Sequence, residues 1–181
     1  MRLAIDLDNT IFDLAWLYKD ICARHNVKYV SPTSWDIYES YPRAVADDLM
    51  TAFNSDAICH TPILNAKIPG ILNALYTNPD YMVYYITERP NGRDIWQLNN
   101  AGIICDPENM INCKPKIDAL KEYRVDLCFD DSPQIVQDCI DNNIDVVMIS
   151  NQDTAYNHHL RGHVENYPDL ITALSKRGIT E

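Results

Sequence analysis

The sequence lacks the features that mark several large classes of protein. It has no run of about 18 apolar residues, which argues against a membrane-spanning helix. Its 6 cysteines include no C-x-x-C pair and no matching histidine spacing, which argues against a zinc site and favours free thiols in a reducing cytoplasm. The opening stretch MRLAIDLDNT is interrupted by Asp6 and Asp8, so it does not resemble a signal-peptide core. We therefore expect a soluble cytoplasmic protein that is not exported and binds no membrane.

Positive charge and glycine are also scarce. Lys plus Arg number 15 against 26 Asp plus Glu, and the resulting net charge of −11 would repel the phosphates of duplex nucleic acid. With only 5 glycines, the chain has no glycine-rich phosphate loop. Its 181 residues, 46% of them apolar, suffice for one domain or for a core with a modest lid. The composition favours a globular protein with a small ligand, and it leaves a homodimer possible.

Strand and helix signals alternate along most of the chain. Short apolar or β-branched stretches predict five strands: Arg2 to Asp6, Tyr81 to Thr87, Asn109 to Asn112, Val125 to Asp130 and Asp145 to Ile149. Such alternation is typical of a three-layer α/β fold with a Rossmann-like parallel sheet. Residues 13–62 contain no convincing buried strand, and we predict that they form a small helical cap. The core would then comprise 1–12 and 63–181.

Polar residues follow several of these strands, at the edge where such folds bind ligands. Asp6 and Asp8 follow the first strand, and Asp130 and Asp131 follow the fourth. Crowded carboxylates repel one another unless a cation neutralises them, and oxygen ligands favour Mg²⁺ over zinc. The alternative is that these acids only cap the helices that follow, as Asp131 could do for the helix that begins near Pro133.

The same edge holds groups suited to phosphoryl transfer. An aspartate such as Asp6 can attack phosphorus and form an aspartyl-phosphate. Asp8, two residues further on, could protonate the leaving alkoxide and later activate water. Thr87 could donate a hydrogen bond to the phosphoryl oxygens, and a lysine could offset their charge. Lys114 and Lys116 compete for that place, with Lys116 favoured because it directly precedes a predicted helix.

These residues resemble the haloacid dehalogenase superfamily of aspartyl-phosphate hydrolases. The four signatures of the superfamily occur in order, namely D-x-D-x-T at residues 6–10, a threonine that ends an apolar strand, a lysine, and a paired acid after another apolar strand. The resemblance implies that Asp6 is the nucleophile and that Asp8 is the general acid and base. It also implies that Mg²⁺ is held by Asp6, the backbone carbonyl of Asp8, and Asp130, with Asp131 bound directly or through water.

A narrower resemblance points to the 5′(3′)-deoxyribonucleotidase branch of the superfamily. In that branch a helical cap follows the first signature. The end of the present chain is also similar to the chain end of that branch, at Ala155-Tyr156-Asn157, Arg161 and the stretch from Asn166 to Leu170. The resemblance implies a Mg²⁺-dependent 5′-nucleotidase that acts on small nucleotides. Two alternatives stay within the superfamily, a sugar-phosphate phosphatase and a polynucleotide 3′-phosphatase. A third is a receiver-type module that binds Mg²⁺ and phosphate without hydrolysis.

Further residues are candidates for substrate binding. The predicted set is Asn9, Thr10, Glu88, Arg89, Lys114 and Trp35. Trp35 lies in a loop-like stretch of the cap and could stack on a nucleobase, although such aromatics often belong to the core. Arg89, two residues after Thr87, could contact the phosphate or sugar of the substrate or could simply lie at the surface.

Overall fold

The computed structural model describes residues 1–90 and 93–180, and their strands form one parallel sheet. In chain order the strands are β1 (Arg2–Ile5), β2 (Met82–Thr87), β3 (Met110–Asn112), β4 (Leu127–Asp130), β5 (Asp145–Ile149) and β6 (Asn166–Tyr167). Their order across the sheet is β3-β2-β1-β4-β5-β6. Because β1 lies between β2 and β4, the carboxyl ends of these three strands are adjacent.

The strands are apolar on both faces because helices cover both faces. Alternate residues such as Leu3, Val83 and Phe129 pack on one side, and their neighbours Ala4 and Tyr84 pack on the other. The helices α4 (Ile68–Thr77), α5 (Asp94–Asn100) and α8 (Leu170–Lys176) cover the first side, and α6 (Lys116–Glu122) and α7 (Pro133–Asp141) cover the second. This confirms the prediction of a three-layer α/β fold.

A small helical cap is inserted after β1. It consists of α1 (Leu14–Arg24), α2 (Ile37–Ser40), α3 (Arg43–Phe53) and a 3₁₀ helix at Asp56–His60. These elements share an apolar cluster of their own, which includes Leu17, Ile21, Val45 and Leu49. The exact division of the chain into 1–12 with 63–181 and 13–62 stays a prediction, and positions 91, 92 and 181 of the predicted core lie outside the described residues.

The two chain crossings between core and cap are paired with each other. Phe12 forms an antiparallel bridge with Ile63, and the Asp13 backbone N–H donates to the Pro62 carbonyl at 2.7 Å. The Leu64 N–H donates to the Ile11 carbonyl at 2.9 Å. The cap therefore leaves and rejoins the core at one place, beside the end of β1.

The sheet has one strand more than the sequence predicts. Asn166 and Tyr167, which belong to none of the five predicted strands, form the edge strand β6, and α8 begins at Leu170 with Asp169 as its N-cap. A two-residue strand is too short to show an alternating pattern. Within the part of the chain that the structure describes, no helix combines the length and apolarity needed to cross a membrane.

Candidate active site

A cleft of about 560 Å³ separates the carboxyl edge of the sheet from the cap. Asp6 follows β1, while Thr87 and Asp130 are the last residues of β2 and β4. The register pairs Ile5 with Tyr85 and Phe129, which sets these three strand ends side by side. The predicted site residues that line the cleft are Asp6, Asp8, Asn9, Trp35, Thr87, Glu88, Arg89, Lys114, Lys116, Asp130 and Asp131.

Lys116, the first residue of α6, lies at the bottom of this cleft. Its side chain is only 2% exposed, and its Nζ donates to Asp6 Oδ1 at 2.5 Å and to Asp130 Oδ2 at 2.6 Å. Burial lowers the pKa of Lys116, but the Asp130 and Asp6 carboxylates outweigh it and hold the pKa above its ordinary value. Lys114, by contrast, is 79% exposed, with its Nζ 3.8 Å from Glu88 Oε2. Of the two competing lysines, the structure places Lys116 against Asp6.

Three buried carboxylates form a cluster at the same point. Oxygens of Asp6, Asp130 and Asp131 lie within 4.8 Å of one another. Burial and the neighbouring Asp130 raise the pKa of Asp131 to about 7. Burial also raises the pKa of Asp6, and repulsion from Asp130 and Asp131 adds to this effect while Lys116 opposes it. The single Lys116 charge does not balance the cluster, and an all-oxygen donor set with excess negative charge fits a divalent cation such as Mg²⁺.

Asp131 is held by three residues from distant parts of the chain. Asn9 Nδ2 donates to Asp131 Oδ2 at 3.0 Å and to the Tyr156 hydroxyl oxygen at 2.9 Å, and the Tyr156 hydroxyl donates to the same Oδ2. Asn9 has a φ of 52°, in the left-handed region that asparagine tolerates, at the turn after Asp8. Asn157 Nδ2 donates to the Asp131 backbone carbonyl at 2.7 Å. Asn9, predicted on the substrate side, is thus engaged in holding Asp131.

The carboxylate of Asp8 does not join the acidic cluster. It accepts two hydrogen bonds from Arg89, from Nε at 2.9 Å and from Nη2 at 2.5 Å. Arg89 Nη1 donates to Asp94 at 2.8 Å and to Gln97 at 2.7 Å. The Arg89 side chain is 3% exposed, which corrects the expectation that it could lie at the surface. Its guanidinium is directed at Asp8, Asp94 and Gln97.

Of the remaining predicted site residues, Glu88 and Thr87 line the cleft and Thr10 does not. Glu88 Oε1 accepts the Lys116 backbone N–H at 2.9 Å and so caps the start of α6. Thr87 is buried at the end of β2, and its hydroxyl oxygen accepts the Arg89 N–H at 3.3 Å. Thr10 is fully buried and is not among the residues that line the cleft. The prediction that Thr10 contacts the substrate is therefore not supported by its position, which is outside the lining of the cleft.

The cap supplies an apolar roof over this polar floor. Trp35 is 57% exposed, and its ring meets that of Tyr156 edge-on, with the centroids 5.2 Å apart. The remaining apolar cap residues that line the cleft are Leu14, Tyr18, Pro32, Ile37, Tyr38, Met50, Phe53 and Ile58. A bound molecule would therefore meet charged groups on the core side and mainly aromatic or aliphatic groups on the cap side, where Ser34 and Asp36 are the polar members of the lining.

Sequence reasoning did not assign Tyr156 and Asn157 to the site. Both lie in a 3₁₀ helix at Ala155–Leu160, after β5, and both are buried. The segment carries no catalytic motif, and only its similarity to the end of deoxyribonucleotidase chains drew attention to it. The available signal was their place in the segment that follows β5, because segments after the strands of a parallel sheet start at the ligand-binding edge.

The structure has a Rossmann-like α/β core with a cap inserted after the first strand, and it shares this fold with a solved haloacid dehalogenase-like hydrolase. No family model matches the sequence, and a search of curated proteins finds no relative. Solved structures do match over nearly the whole chain.

A haloacid dehalogenase-like hydrolase from Streptococcus pneumoniae superposes with a TM-score of 0.62 at 12% identity, covering 97% of this chain and 97% of its own. A predicted phosphatase from Clostridium acetobutylicum gives 0.61 at 13% identity, covering 98% and 97%. A hydrolase from Pseudomonas syringae gives 0.60 at 14% identity, again covering 98% and 97%. At these identities the similarity shows the fold.

Proposed function

We propose that this chain is a Mg²⁺-dependent phosphomonoester hydrolase that forms an aspartyl-phosphate on Asp6. The observation that carries the proposal is the position of the buried Lys116 ammonium between Asp6 and Asp130, in contact with both. A lysine held there can offset the charge of phosphoryl oxygens brought to Asp6. The similarity to hydrolase and phosphatase structures supports the same reaction class.

In the first step a carboxylate oxygen of Asp6 attacks phosphorus, and the bond from phosphorus to the ester oxygen breaks. The leaving oxygen takes a proton from Asp8, which must carry that proton when the step begins. Thr87 and Lys116 stabilise the phosphoryl oxygens. Asp6, Asp130, Asp131 and the Asp8 backbone carbonyl would hold the metal. When bound, Mg²⁺ would neutralise the carboxylate cluster and polarise the phosphoryl group.

In the second step water attacks the phosphorus of the aspartyl-phosphate. Asp8, now a carboxylate, accepts a proton from that water, and the bond between phosphorus and the Asp6 oxygen breaks. Inorganic phosphate forms and Asp6 is regenerated. The apolar roof of the cap limits the access of bulk water during the first step. A receiver-type module, which needs a long-lived aspartyl-phosphate, would not benefit from an acid and base two residues from its phosphorylated aspartate.

We propose a small nucleotide with a 5′-phosphate as the substrate. A cleft of about 560 Å³ has the size of a small-molecule site. Trp35 and Tyr38, both exposed at its cap side, offer aromatic faces on which a nucleobase can stack. The net charge of −11 disfavours duplex nucleic acid as a partner.

The decisive experiment is a phosphate-release screen over nucleotides and sugar phosphates, run with Mg²⁺ and with EDTA. We expect hydrolysis of 5′-nucleotides that requires Mg²⁺. Activity confined to sugar phosphates would reject the nucleotide while keeping the reaction class. Undiminished turnover in EDTA would reject the metal, and no turnover on any phosphomonoester would reject the enzyme.

Replacing Lys116 by Met should lower kcat/KM by about two orders of magnitude or more, equivalent to roughly 3 kcal/mol. The change removes the charge that lies between Asp6 and Asp130. Lys114→Met, the matched change at an exposed lysine, should cause a much smaller loss. Circular dichroism of both proteins controls for folding. A near-normal Lys116→Met protein beside an inactive Lys114→Met protein would exchange the two assignments.

Mg²⁺ affinity should fall as the pH is lowered through about 7. The raised pKa of Asp131, about 7, means that this carboxyl keeps its proton at a pH where an exposed aspartate is ionised. Mg²⁺ binding must then displace the proton, so the apparent Kd should rise by up to about tenfold per pH unit below that pKa and change little above it. Calorimetric titration with Mg²⁺ between about pH 5.5 and 8.5, in steps of about half a pH unit, measures this dependence. A constant Kd across pH 6 to 8 would contradict it.

A further inference from the structure

We propose that Arg89 is a positioning residue that holds the Asp8 carboxylate and joins it to both chain crossings of the cap. The inference rests on the proposed function, because Asp8 needs a fixed position only if it transfers protons. It replaces the expectation that Arg89 contacts the substrate, since the guanidinium is already engaged by protein groups.

The contact between Arg89 and Asp8 is a two-point contact. Nε and Nη2 donate to the two oxygens of the Asp8 carboxylate, at 2.9 and 2.5 Å. Paired parallel hydrogen bonds of this kind define the plane and the direction of a carboxylate, which a single ammonium contact cannot do. Both residues line the cleft, but the Asp8 side chain is one-fifth exposed whereas the Arg89 side chain is almost fully buried.

Arg89 is itself held from behind by α5. Its Nη1 donates to Asp94 and Gln97, both buried and spaced three residues apart on one face of that helix. The second oxygen of Asp94 accepts from Asn112 Nδ2 at 2.7 Å. With these groups fixed, the guanidinium has one orientation, and so has the carboxylate that it binds.

The same group of residues reaches both crossings into the cap. Gln97 Nε2 donates to the Thr61 carbonyl at 3.1 Å and to the Thr61 hydroxyl at 3.0 Å, at the second crossing. The Arg89 guanidinium lies over the Phe12 ring, 5.9 Å from its centroid, at the first. Phe12 also bridges to Asp8 and to Ile63. A shift of the cap about these crossings would therefore move Arg89 and, with it, the Asp8 carboxylate.

The test uses Arg89→Lys, which keeps the charge and loses the two-point contact, with two substrates that differ in their leaving group. An alkyl phosphate needs a proton from Asp8 to leave, and an aryl phosphate with an acidic phenol needs little. Because kcat/KM reports the steps up to leaving-group release, it isolates this requirement. We expect a loss of about 30- to 100-fold for the alkyl phosphate and about fivefold or less for the aryl phosphate, on the scale of a misplaced catalytic group. Arg177→Lys, the same change at the surface ion pair with Asp145, should leave both values unchanged.

Competitive inhibition by inorganic phosphate separates positioning from direct contact. If Arg89 only holds Asp8, the inhibition constant of phosphate should stay within about twofold of that of the unaltered protein. A large rise in that constant, with equal losses on both substrates, would assign Arg89 to the substrate and overturn the inference. Equal losses with normal inhibition would mean a general structural role and would also overturn it.

Arg89→Lys also changes the ion pair with the buried Asp94, so a folding defect must be separated from the expected effect. Gln97→Leu provides this second measurement, since it removes one support of Arg89 and the link to Thr61 without removing a charge. It should show the same preference for the aryl substrate, with a smaller loss of about 5- to 10-fold on the alkyl one. Equal losses on both substrates would contradict the inference. If the unaltered protein hydrolyses no phosphomonoester, the proposed function itself is rejected. If it does, and the variants show no difference between the two substrates, only the positioning role of Arg89 is rejected.

Discussion

The Asp6→Asn protein should show no turnover above background and should form no covalent phosphoryl adduct. The carboxylate oxygen that makes the bond to phosphorus is replaced by an amide, and we expect a loss of about 10⁴-fold or more. Asn has nearly the same shape as Asp, and the Asp6 backbone N–H still donates to the Phe129 carbonyl, so the end of β1 should keep its position. Phosphate release and intact-mass spectrometry after an acid quench measure the two outcomes.

A suitable control for Asp6→Asn is Asp141→Asn, the same change at an exposed position at the end of α7. It should leave turnover unchanged. Full activity in Asp6→Asn would remove the aspartyl-phosphate mechanism altogether. Loss of activity together with a lost near-ultraviolet circular dichroism signal would point to a folding defect rather than to a missing nucleophile.

The Asp8→Asn protein should be slower by about 10² to 10⁴, because it keeps the nucleophile and loses the general acid and base. With an aryl phosphate the first step needs little protonation, so the second step should suffer more. An adduct with the mass of one phosphoryl group should then accumulate on the peptide that contains Asp6. Rapid acid quench, digestion and mass spectrometry locate it.

The position of that adduct shows which of several neighbouring carboxylates is the nucleophile. Asp6, Asp130 and Asp131 have oxygens within 4.8 Å of one another, so proximity alone does not assign the nucleophile. An adduct on Asp130 or Asp131 would reassign it. An Asp8→Asn protein with normal turnover would remove the general acid from the mechanism and with it the reason for Arg89 to hold Asp8.

Much of the fold follows from local pattern. The strands β2 and β4 are continuous apolar stretches, as expected for strands covered on both sides, and helices separate them from their neighbours. Polar residues at their ends lie together because parallel strands present the same end to the same edge. Lys116 belongs to this group, since the first residue of a helix after a strand lies at that edge, whereas Lys114, two residues earlier, projects into solvent.

The supporting contacts of the site depend on pairings that no local pattern encodes. Asn9 and Tyr156, which hold Asp131, are 147 positions apart in the chain. The sequence suggests a surface or substrate position for Arg89, which lies two residues after Thr87, and only folding brings Asp8 to it from the first loop. A usable signal did exist in α5, where Asp94 and Gln97 share the face of the helix that is buried. Polar residues on a buried face need a partner from elsewhere.

The pairing of the two cap crossings has a consequence for how such a protein can change during evolution. Since the Asp13 N–H binds the Pro62 carbonyl and Phe12 bridges to Ile63, the ends of the intervening segment meet whatever its length. Lengthening a loop whose ends are already joined costs little closure entropy. The helices between these positions can therefore be exchanged for others of different size and lining without moving Asp6, Lys116 or Asp130. In the proposed function the cap contacts the substrate and the core carries out the reaction, so replacing the cap would change the specificity and keep the reaction.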